Sequence, residues 1–233
     1  MERFIEFLHQ NNIEYTQEML DKLELYYSFL VEYNKKVNLT AITEKNDVYL
    51  KHFADSLLGL KYIPSNAAVC DIGTGAGFPG VVLKIFKPSI SLYLVDSLNK
   101  RITFLNELTK LLKLDNVCTI HARAEDNDFK LKYLNKFDVV VARAVANIDT
   151  LLEYCLPYVK IGGVFIAYKS NDVQNELANI NNATKLLGGD DYKINICKLN
   201  QDITRSLIIF NKIRNTDKKY PRGQNKPRLS PLK

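Results

Sequence analysis

Five short apolar segments, separated by stretches with helical periodicity, constrain the fold more than any other feature of this chain. They lie at residues 67–72, 91–96, 117–122, 137–142 and 163–168. Several are apolar at almost every position, which is typical of parallel strands whose sheet is covered by helices on both faces. Alternation of strands and helices predicts a doubly wound α/β fold with a mostly parallel sheet.

The first 64 residues have only helical patterns. Helices are predicted at residues 3–11, 16–35 and about 47–61. Thr16 has the side chain and position of an N-cap for the second helix, and Pro64 follows the end of the third. An all-helical extension over residues 1–64 is therefore predicted.

The segments after the fifth strand predict a different kind of pairing. A helix is expected over about 172–187, followed by apolar segments at 193–199 and 205–211. The connection between these two segments is too short for a crossover helix, so they are predicted to form an antiparallel hairpin. The α/β domain is expected to span residues 65–214.

Positive charge is concentrated in the C-terminal tail, residues 215–233. The whole chain has a net charge of +6, whereas the part from Lys212 onward has eight basic residues and one acid, a local charge of +7. Prolines are frequent and apolar residues are rare in the tail, so regular structure is not expected there. Such a tail favours binding to RNA, with Tyr220 available to stack on a base.

Several classes of protein are excluded by simple features. No apolar stretch reaches 18 residues, which argues against a membrane helix, and the N-terminus lacks the pattern of a secretory signal. The four cysteines form no C-x-x-C pair, so reduced thiols and no metal site are expected. We expect a cytoplasmic protein that is a monomer.

A glycine-rich loop directly follows the first predicted strand, in the sequence VCDIGTGAGFPG at residues 69–80. Its glycines are Gly73, Gly75, Gly77 and Gly80. Glycines at this position allow backbone N–H groups to approach a ligand with no Cβ in the way. A tight turn without a ligand is the alternative.

Two features of this loop favour a cationic ligand over a dinucleotide. In NAD-binding folds the first glycine of the motif closes the strand, but here Gly75 comes three residues after Ile72. The carboxylate of Asp71 would also face a pyrophosphate, and like charges about 4 Å apart repel by about 4 kcal/mol at an effective dielectric constant of 20. S-adenosylmethionine has a sulfonium and an ammonium group and no phosphate, so it fits better.

Residues after the other strands complete a candidate site, because ligands of open α/β sheets bind beyond the carboxyl ends of the strands. Asp96 ends the second strand, where a carboxylate accepts ribose hydroxyls or caps the next helix. Ala124 and Glu125 follow the third strand and offer room for an adenine ring and an acceptor for its amine. Arg143 follows the fourth strand, and an arginine among apolar residues indicates a phosphate, a cofactor carboxylate or an internal Asp as its partner.

The third predicted helix and several basic residues supply further candidates. His52 and Asp55 lie three residues apart on one helix face, where they flank the pocket or form a simple surface pair. Other basic residues expected to bind RNA are Lys35, Lys36, Lys100, Arg101 and Lys169.

Seven short motifs give the chain a specific pattern. They are VNLTAI (37–42), HFADS (52–56), DIGTGAGFPG (71–80), DSLNKR (96–101), RAED (123–126), ARAVA (142–146) and YKS (168–170). Together they closely resemble the small-subunit ribosomal RNA guanine-N7 methyltransferases, also called glucose-inhibited division protein B. The resemblance implies a class I S-adenosylmethionine-dependent methyltransferase fold, S-adenosylmethionine as cofactor and 16S rRNA as substrate. It also implies that the cofactor contacts are Gly73, Phe78, Ala124, Glu125 and Arg143.

Methylation of guanine N7 agrees with the residues available. N7 has a free lone pair and no proton, so the enzyme aligns the reactants and needs no general base. No catalytic residue is assigned; Arg143, His52 and Asp55 are candidates for positioning. Two alternatives stay open, an NAD-dependent oxidoreductase and a non-catalytic RNA-binding protein with a relic cofactor pocket.

Overall fold

A seven-stranded mixed sheet forms the centre of the computed structural model, which describes residues 2–143, 146–170, 173–178 and 180–232. The strands are β1 Ala68–Ile72, β2 Ser91–Asp96, β3 Val117–His121, β4 Phe137–Arg143, β5 Val159–Lys169, β6 Gly189–Lys198 and β7 Thr204–Lys212. Their order in the sheet is β3-β2-β1-β4-β5-β7-β6. Strands β1 to β5 pair in parallel, and β7 is antiparallel to both β5 and β6. The predicted doubly wound sheet and its C-terminal hairpin are confirmed.

The N-terminal extension is helical, as predicted. Its helices are α1 Glu2–Gln10, α2 Gln17–Asn34, α3 Lys45–Val48 and α4 Asp55–Leu57. Thr16 caps α2, because its hydroxyl accepts a hydrogen bond from the Met19 N–H at 3.3 Å. The predicted third helix differs from expectation: Tyr49–Ala54, between α3 and α4, form a π-helical segment. Such segments are frequent at functional sites, and nothing in the residue pattern predicts this one.

Helices cover both faces of the sheet. After the extension they are α5 Gly80–Phe86, α6 Asn99–Leu111, α7 Asn127–Tyr133, α8 Ile148–Cys155, α9 Gln174–Leu177 and α10 Asn181–Leu186. Val69 and Val139 enter one core, whereas Cys70 and Val140 enter the other, which explains why the strands are apolar at consecutive positions. None of the described helices is both long enough and apolar enough to span a membrane.

Two further helical segments differ from the prediction. Helix α7 was not predicted, because its segment is mostly polar and only Phe129 is buried. The single helix predicted over about 172–187 is present as the two short helices α9 and α10, and Asn171, Asp172 and Asn179 lie outside the described residues.

The C-terminal tail has a defined path, so the prediction that it lacks regular structure is wrong. We call residues 216–232 the strap; it packs along α8 and includes the short helix α11 Lys226–Leu229. The carboxylate of Glu153, which is fully buried, accepts hydrogen bonds from Arg222 Nε at 2.9 Å and Nη2 at 2.7 Å. This ion pair and the burial of Tyr220 and Pro227 offset the entropy lost on ordering the segment. Because Tyr220 is only 6% exposed, it is not available to stack on RNA.

Less free charge surrounds the strap than the composition indicates. The side chain of Lys212 is buried and donates hydrogen bonds to the Leu156 carbonyl and the Thr216 hydroxyl, each at 2.7 Å. Arg222 is neutralised by Glu153. The local charge of +7 is therefore an upper bound on what a polyanion can meet.

The ligand edge of the sheet lies at the carboxyl ends of β1 to β5. Strand β1 pairs with β2 on one side and with β4 on the other, so successive connections leave β1 in opposite directions. This switch point opens a crevice, and the glycine loop after β1 lies in it.

Candidate functional site

The glycine loop, residues 73–80, requires glycine at three positions. Gly73, Gly75 and Gly77 have φ values of 72°, 61° and 98°, in the region that other L-residues rarely adopt. A Cβ on Gly77 would also lie 2.7 Å from the hydroxyl of Tyr26. That hydroxyl donates a hydrogen bond to the Ala76 carbonyl at 2.5 Å, so helix α2 of the extension holds the loop in place.

Asp71 lies beneath this loop and is fully buried. Its Oδ2 accepts hydrogen bonds from the Thr74 hydroxyl and the Gly80 N–H, each at 2.8 Å. Its Oδ1 has no hydrogen-bond partner among the described residues. Burial raises the pKa of Asp71 to about 7. Asp71 therefore supports the loop from inside, and its charge is a weaker barrier to a pyrophosphate than the sequence suggests.

Asp96 joins the loop to the next helix. Its Oδ2 accepts a hydrogen bond from the Gly75 N–H at 2.9 Å, and its Oδ1 accepts one from the Leu98 N–H at 2.9 Å. Arg101 Nη1 lies 3.1 Å from Oδ2. Helix α6 begins at Asn99 with Leu98 as its N-cap and has no side-chain cap, so the capping role that was the alternative for Asp96 is not observed. Each carboxylate oxygen already accepts two hydrogen bonds, one from a backbone N–H and one from Arg101, so a ligand hydroxyl can bind Asp96 by replacing an Arg101 contact.

A cavity of about 540 Å³ opens beside Asp96, and we call it the β1–β3 cavity. It is lined by Ile72, Gly73, Val95, Asp96, Ser97, Arg101, Ala122, Arg123, Ala124, Glu125, Tyr154, Asn225 and Arg228. Four predicted cofactor residues therefore lie around one space: Gly73, Asp96, Ala124 and Glu125. Its size suits a small-molecule ligand.

A second cavity, of about 330 Å³, lies at the carboxyl ends of β4 and β5, and we call it the arginine cavity. It is lined by Lys51, His52, Asp55, Arg143, Tyr168, Lys169, Ser170 and Arg205. The three positioning candidates, His52, Asp55 and Arg143, all line this cavity.

Arg143 is the centre of the hydrogen bonds in the arginine cavity. Its Nη1 donates to Asp55 Oδ2 at 2.8 Å and to the Lys51 carbonyl at 3.2 Å. Its Nη2 lies 3.1 Å from His52 Nδ1, and the guanidinium lies 5.0 Å from the centre of the Phe78 ring. Of the three partners left open for Arg143, the structure has the internal carboxylate.

Asp55 is shared between two arginines. Arg205 Nε lies 3.3 Å from Asp55 Oδ1, close enough for an ion pair although the angle is poor for a hydrogen bond. One buried carboxylate thus faces two guanidinium groups, and the cavity keeps an excess of positive charge. Ala144 and Val145, which continue the ARAVA motif after Arg143, lie outside the described residues.

His52 is held neutral by its surroundings. Burial and the neighbouring Arg143 lower the pKa of His52 to about 3. Its Nε2 lies 2.9 Å from the hydroxyl of Thr40, which belongs to the VNLTAI motif. The imidazole lies nearly parallel to the Phe78 ring, with centroids 4.5 Å apart, and Tyr26 stacks on the same ring. A neutral imidazole at physiological pH cannot act as a general acid here.

Among the predicted RNA-binding residues, several have partners within the protein. Lys169 Nζ lies 2.7 Å from Glu176 Oε2, Arg101 is paired with Asp96, and Lys35 with Glu32. Lys36 and Lys100 are exposed. Within the described ranges, no group of three His, Cys, Asp or Glu side chains is arranged to hold a metal ion.

The side chains at the site that were not predicted include Tyr26, Tyr154, Arg205 and Asn225. Arg205 had a partial signal, because it begins the second strand of the predicted hairpin; the structure pairs this strand with β5, where Ser206 lies beside Lys169. Tyr26, Tyr154 and Asn225 reach the site only through packing between distant segments. No local pattern indicates such contacts.

Known proteins match the chain along most of its length. The family model for rRNA small subunit methyltransferase G (GidB) matches residues 19–208. A protein of Lachnoclostridium phytofermentans named Ribosomal RNA small subunit methyltransferase G is 46% identical over 232 residues, which cover 98% of this chain and 96% of the relative. The protein of the same name from Bacillus subtilis is 43% identical over 235 residues, with coverage of 100% and 98%.

Solved structures agree on the fold. TYW2 of M. jannaschii in complex with AdoMet has a TM-score of 0.53 at 19% identity and covers 68% of this chain and 77% of its own. A SAM-dependent O-methyltransferase from Thermotoga maritima has a TM-score of 0.51 at 12% identity, with coverage of 81% and 73%. At such low identity the likeness shows the fold alone, and the predicted class I methyltransferase fold is confirmed.

These matches agree with the motifs quoted from the sequence. Neither the oxidoreductase nor the relic-pocket alternative gains support from them. This chain therefore belongs to the rRNA small subunit methyltransferase G family.

Proposed function

We propose that this protein transfers the methyl group of S-adenosylmethionine to N7 of a guanine in 16S rRNA. Family membership over almost the whole chain is the observation that carries this proposal. The relatives' name specifies methyl transfer to small-subunit ribosomal RNA, and the motif resemblance adds guanine N7 as the acceptor. No observation favours a second function.

The β1–β3 cavity and the glycine loop fit this cofactor chemically. Asp71 Oδ1 is buried without a partner among the described residues, and a cationic ligand near the loop compensates such a carboxylate. Asp96 offers acceptors to ribose hydroxyls, Glu125 offers one to the adenine amine, and Ala124 leaves room for the ring. The proposed cofactor-binding residues are Asp71, Gly73, Gly75, Gly77, Phe78, Asp96, Ala124, Glu125 and Arg143. When bound, the cofactor supplies a methyl group activated by the sulfonium.

The arginine cavity suits an RNA substrate. We assign Arg143, which contacts Phe78 of the glycine loop, to the cofactor carboxylate and Arg205 to an RNA phosphate. A guanine methylated at N7 gains positive charge, so a neutral His52 beside it avoids repulsion that an imidazolium would cause. The chain needs no proton acceptor, because N7 has none to lose; alignment of the reactants is its main contribution.

The extension and the tail each contribute to the proposed site. We propose the division into a helical extension (1–64), a methyltransferase domain (65–214) and a basic tail (215–233), in which the extension supplies Tyr26 and the tail supplies Asn225. We also propose action in the cytoplasm, where ribosomal subunits are assembled, and as a monomer, which light scattering of the purified protein tests.

A methyl-transfer assay tests the proposed reaction. Purified protein, S-adenosylmethionine labelled in the methyl group and transcribed 16S rRNA are incubated, and the RNA is digested to nucleosides for mass spectrometry. The expected product is 7-methylguanosine. A transcript made with 7-deazaguanosine is the matched control, because it keeps the shape of guanine but lacks N7.

Two results would contradict the proposal. Methylation of the 7-deaza transcript would place the methyl group on another atom. Absence of transfer to both naked 16S rRNA and isolated small subunits would remove ribosomal RNA as the substrate.

A further inference from the structure

We infer that the strap completes the cofactor cavity by supplying Asn225 as a hydrogen-bond donor to the adenine base. This inference rests on the proposed function, since it concerns the same cofactor. It assigns a role to the part of the chain that carries none of the seven family motifs.

The strap is fixed to the wall of the β1–β3 cavity by buried polar contacts. Arg222 makes a two-pronged ion pair with Glu153, and the backbone N–H of Arg222 donates to the same carboxylate at 2.7 Å. The hydroxyl of Thr150 donates to the Pro227 carbonyl at 3.2 Å. These anchors lie on both sides of residues 223–226, so this turn is held against helix α8.

Asn225 is oriented by its neighbour on α8. The Tyr154 hydroxyl donates a hydrogen bond to Asn225 Oδ1 at 3.1 Å, and both side chains line the β1–β3 cavity. Within the described part of the chain, no residue accepts a hydrogen bond from Asn225 Nδ2. The backbone of Asn225 is left-handed, with φ 56°, a conformation that Asn tolerates better than most residues. The Oδ1 of Asn225 is therefore held by Tyr154, and its Nδ2 is free to donate to a ligand.

The RAED loop lines the same space. Ala124 and Glu125 line the β1–β3 cavity together with Asn225. A smaller space is lined by residues of this loop and of the strap, with Glu125 and Asn225 again among them. The strap thus borders the end of the cavity assigned to adenine.

The two side chains have the hydrogen-bonding pattern of adenine. The exocyclic amine of adenine is a donor flanked by two ring nitrogens, N1 and N7, that are acceptors. An ionised Glu125 only accepts, and Asn225 Nδ2 only donates. A purine with a carbonyl group at C6 would present an acceptor to Glu125, so the pair selects adenine. Asn225 is then a specificity-determining residue supplied by the strap.

Binding measurements on the full-length chain test this role without any RNA. The ligands are S-adenosylhomocysteine and methylthioadenosine, which lacks the amino-acid half, and the method is isothermal titration calorimetry. Asn225→Gly removes the amide and suits the left-handed backbone. We expect it to raise the Kd of both ligands about tenfold, because one hydrogen bond to the shared adenine is lost.

The neighbouring residue provides a matched control. Gln224 is also left-handed, with φ 60°, and is exposed; it lines the smaller space but not the β1–β3 cavity assigned to the cofactor. Gln224→Gly makes the same backbone change and should leave both Kd values unchanged. Asn225→Asp keeps the shape and the acceptor for Tyr154 but replaces the free donor by an acceptor, so it should weaken binding at least as much as Asn225→Gly.

The outcomes separate this inference from the proposed function. If the wild-type protein binds neither ligand, the cofactor assignment itself is wrong. If the wild type binds both and Asn225→Gly or Asn225→Asp binds them equally well, the assignment stands and the role of Asn225 is overturned. An equal rise in Kd for Gln224→Gly would also overturn it, since the effect would then come from the backbone of the turn and not from the Asn225 side chain. Circular dichroism and thermal unfolding of each variant show whether the fold is kept.

Discussion

The two cavities lie at the same edge of the sheet but use their buried carboxylates differently. In the β1–β3 cavity, Asp96 accepts hydrogen bonds from two backbone N–H groups and thereby fixes the glycine loop. In the arginine cavity, Asp55 faces two arginines and leaves positive charge in excess. Under the proposed function, the first carboxylate shapes the cofactor site, whereas the second orients arginines that bind RNA. Substitutions on the two sides should therefore separate cofactor binding from RNA binding.

The largest effect is expected from Arg143→Lys, in the arginine cavity. Lysine has one compact ammonium group, which cannot reach Asp55, the Lys51 carbonyl and His52 together. We expect kcat/KM for methyl transfer to RNA to fall about 100-fold, equivalent to about 3 kcal/mol. Single-turnover transfer at saturating cofactor measures it.

Arg205→Lys is the matched substitution on the same carboxylate. Arg205 has one contact to Asp55, at 3.3 Å, and a lysine keeps the charge that attracts a phosphate. About a tenfold rise in the KM for RNA, with an unchanged cofactor Kd, is expected. Equal losses in the two variants would mean that the additional contacts of Arg143 contribute no more than the single contact of Arg205.

The converse test uses Asp96→Asn. The amide keeps the shape of the carboxylate but has only one acceptor atom and no charge, so it cannot serve both the Gly75 and the Leu98 N–H groups equally well. The Kd for S-adenosylhomocysteine should rise about 30-fold, or about 2 kcal/mol, while the Kd for RNA stays the same. Calorimetry and filter binding measure these two constants.

Asp138→Asn is the control for a general loss of stability. Asp138 also holds a backbone N–H, that of Ala68 at 2.8 Å, but at the amino end of the sheet. The substitution Asp138→Asn should leave cofactor binding unchanged. If Asp96→Asn weakens RNA binding as much as cofactor binding, the two cavities are not independent.

A smaller effect concerns the pH dependence of stability. Burial raises the pKa of Asp71 to about 7, above its ordinary value of 3.8. Between these two pH values the folded protein holds a proton that the unfolded chain has lost, so the contribution to stability is complete below pH 3.8 and is lost as pH rises through about 7. The free energy of unfolding, measured with urea, should be lower at pH 8 than at pH 5. Asp71→Asn should reduce this difference by about 2 kcal/mol. Parallel profiles for the two proteins would show that another group titrates.

Much of the cofactor side of the site could be predicted from the sequence, and the reason is local. The strands are apolar on both faces, and the residues that follow them reach one edge of any parallel sheet. Asp96, Ala124 and Glu125 could therefore be placed beside the glycine loop without knowledge of side-chain packing. The role of Asp71 beneath the loop could not, because burial of one carboxylate depends on the loop that covers it.

The strap shows what local reasoning misses. Glu153 is a charged residue in α8, and its residue type alone favours the exposed face of the helix. Its partner Arg222 comes 69 residues later. The tail has the composition of a disordered segment, yet one buried ion pair and three buried rings, those of Tyr220, Pro221 and Pro227, hold it in place. Contacts of this range depend on the whole fold and have no signature in either segment.

The smallest predicted effect is on the salt dependence of RNA affinity, and it tests whether RNA extends from the arginine cavity to the strap. Deleting the tail is a poor test, because it would leave the buried Glu153 without Arg222. Lys218 and Lys226 are exposed, so the double substitution Lys218→Gln and Lys226→Gln removes charge without touching the anchors. If both contact phosphates, the slope of log affinity against log salt concentration should decrease by about 1.4, at about 0.7 per contact.

A second pair of lysines makes this result specific. Lys110 and Lys113 are exposed near the end of α6, on the side of the sheet away from the ligand edge, and their double substitution by Gln removes the same charge. If RNA reaches the strap, only the first pair should change the slope, since only direct contacts release counterions. Equal changes would mean that RNA responds to net charge alone, and no change from either pair would confine RNA to the arginine cavity. In that last case the strap would contribute to cofactor binding and not to RNA binding.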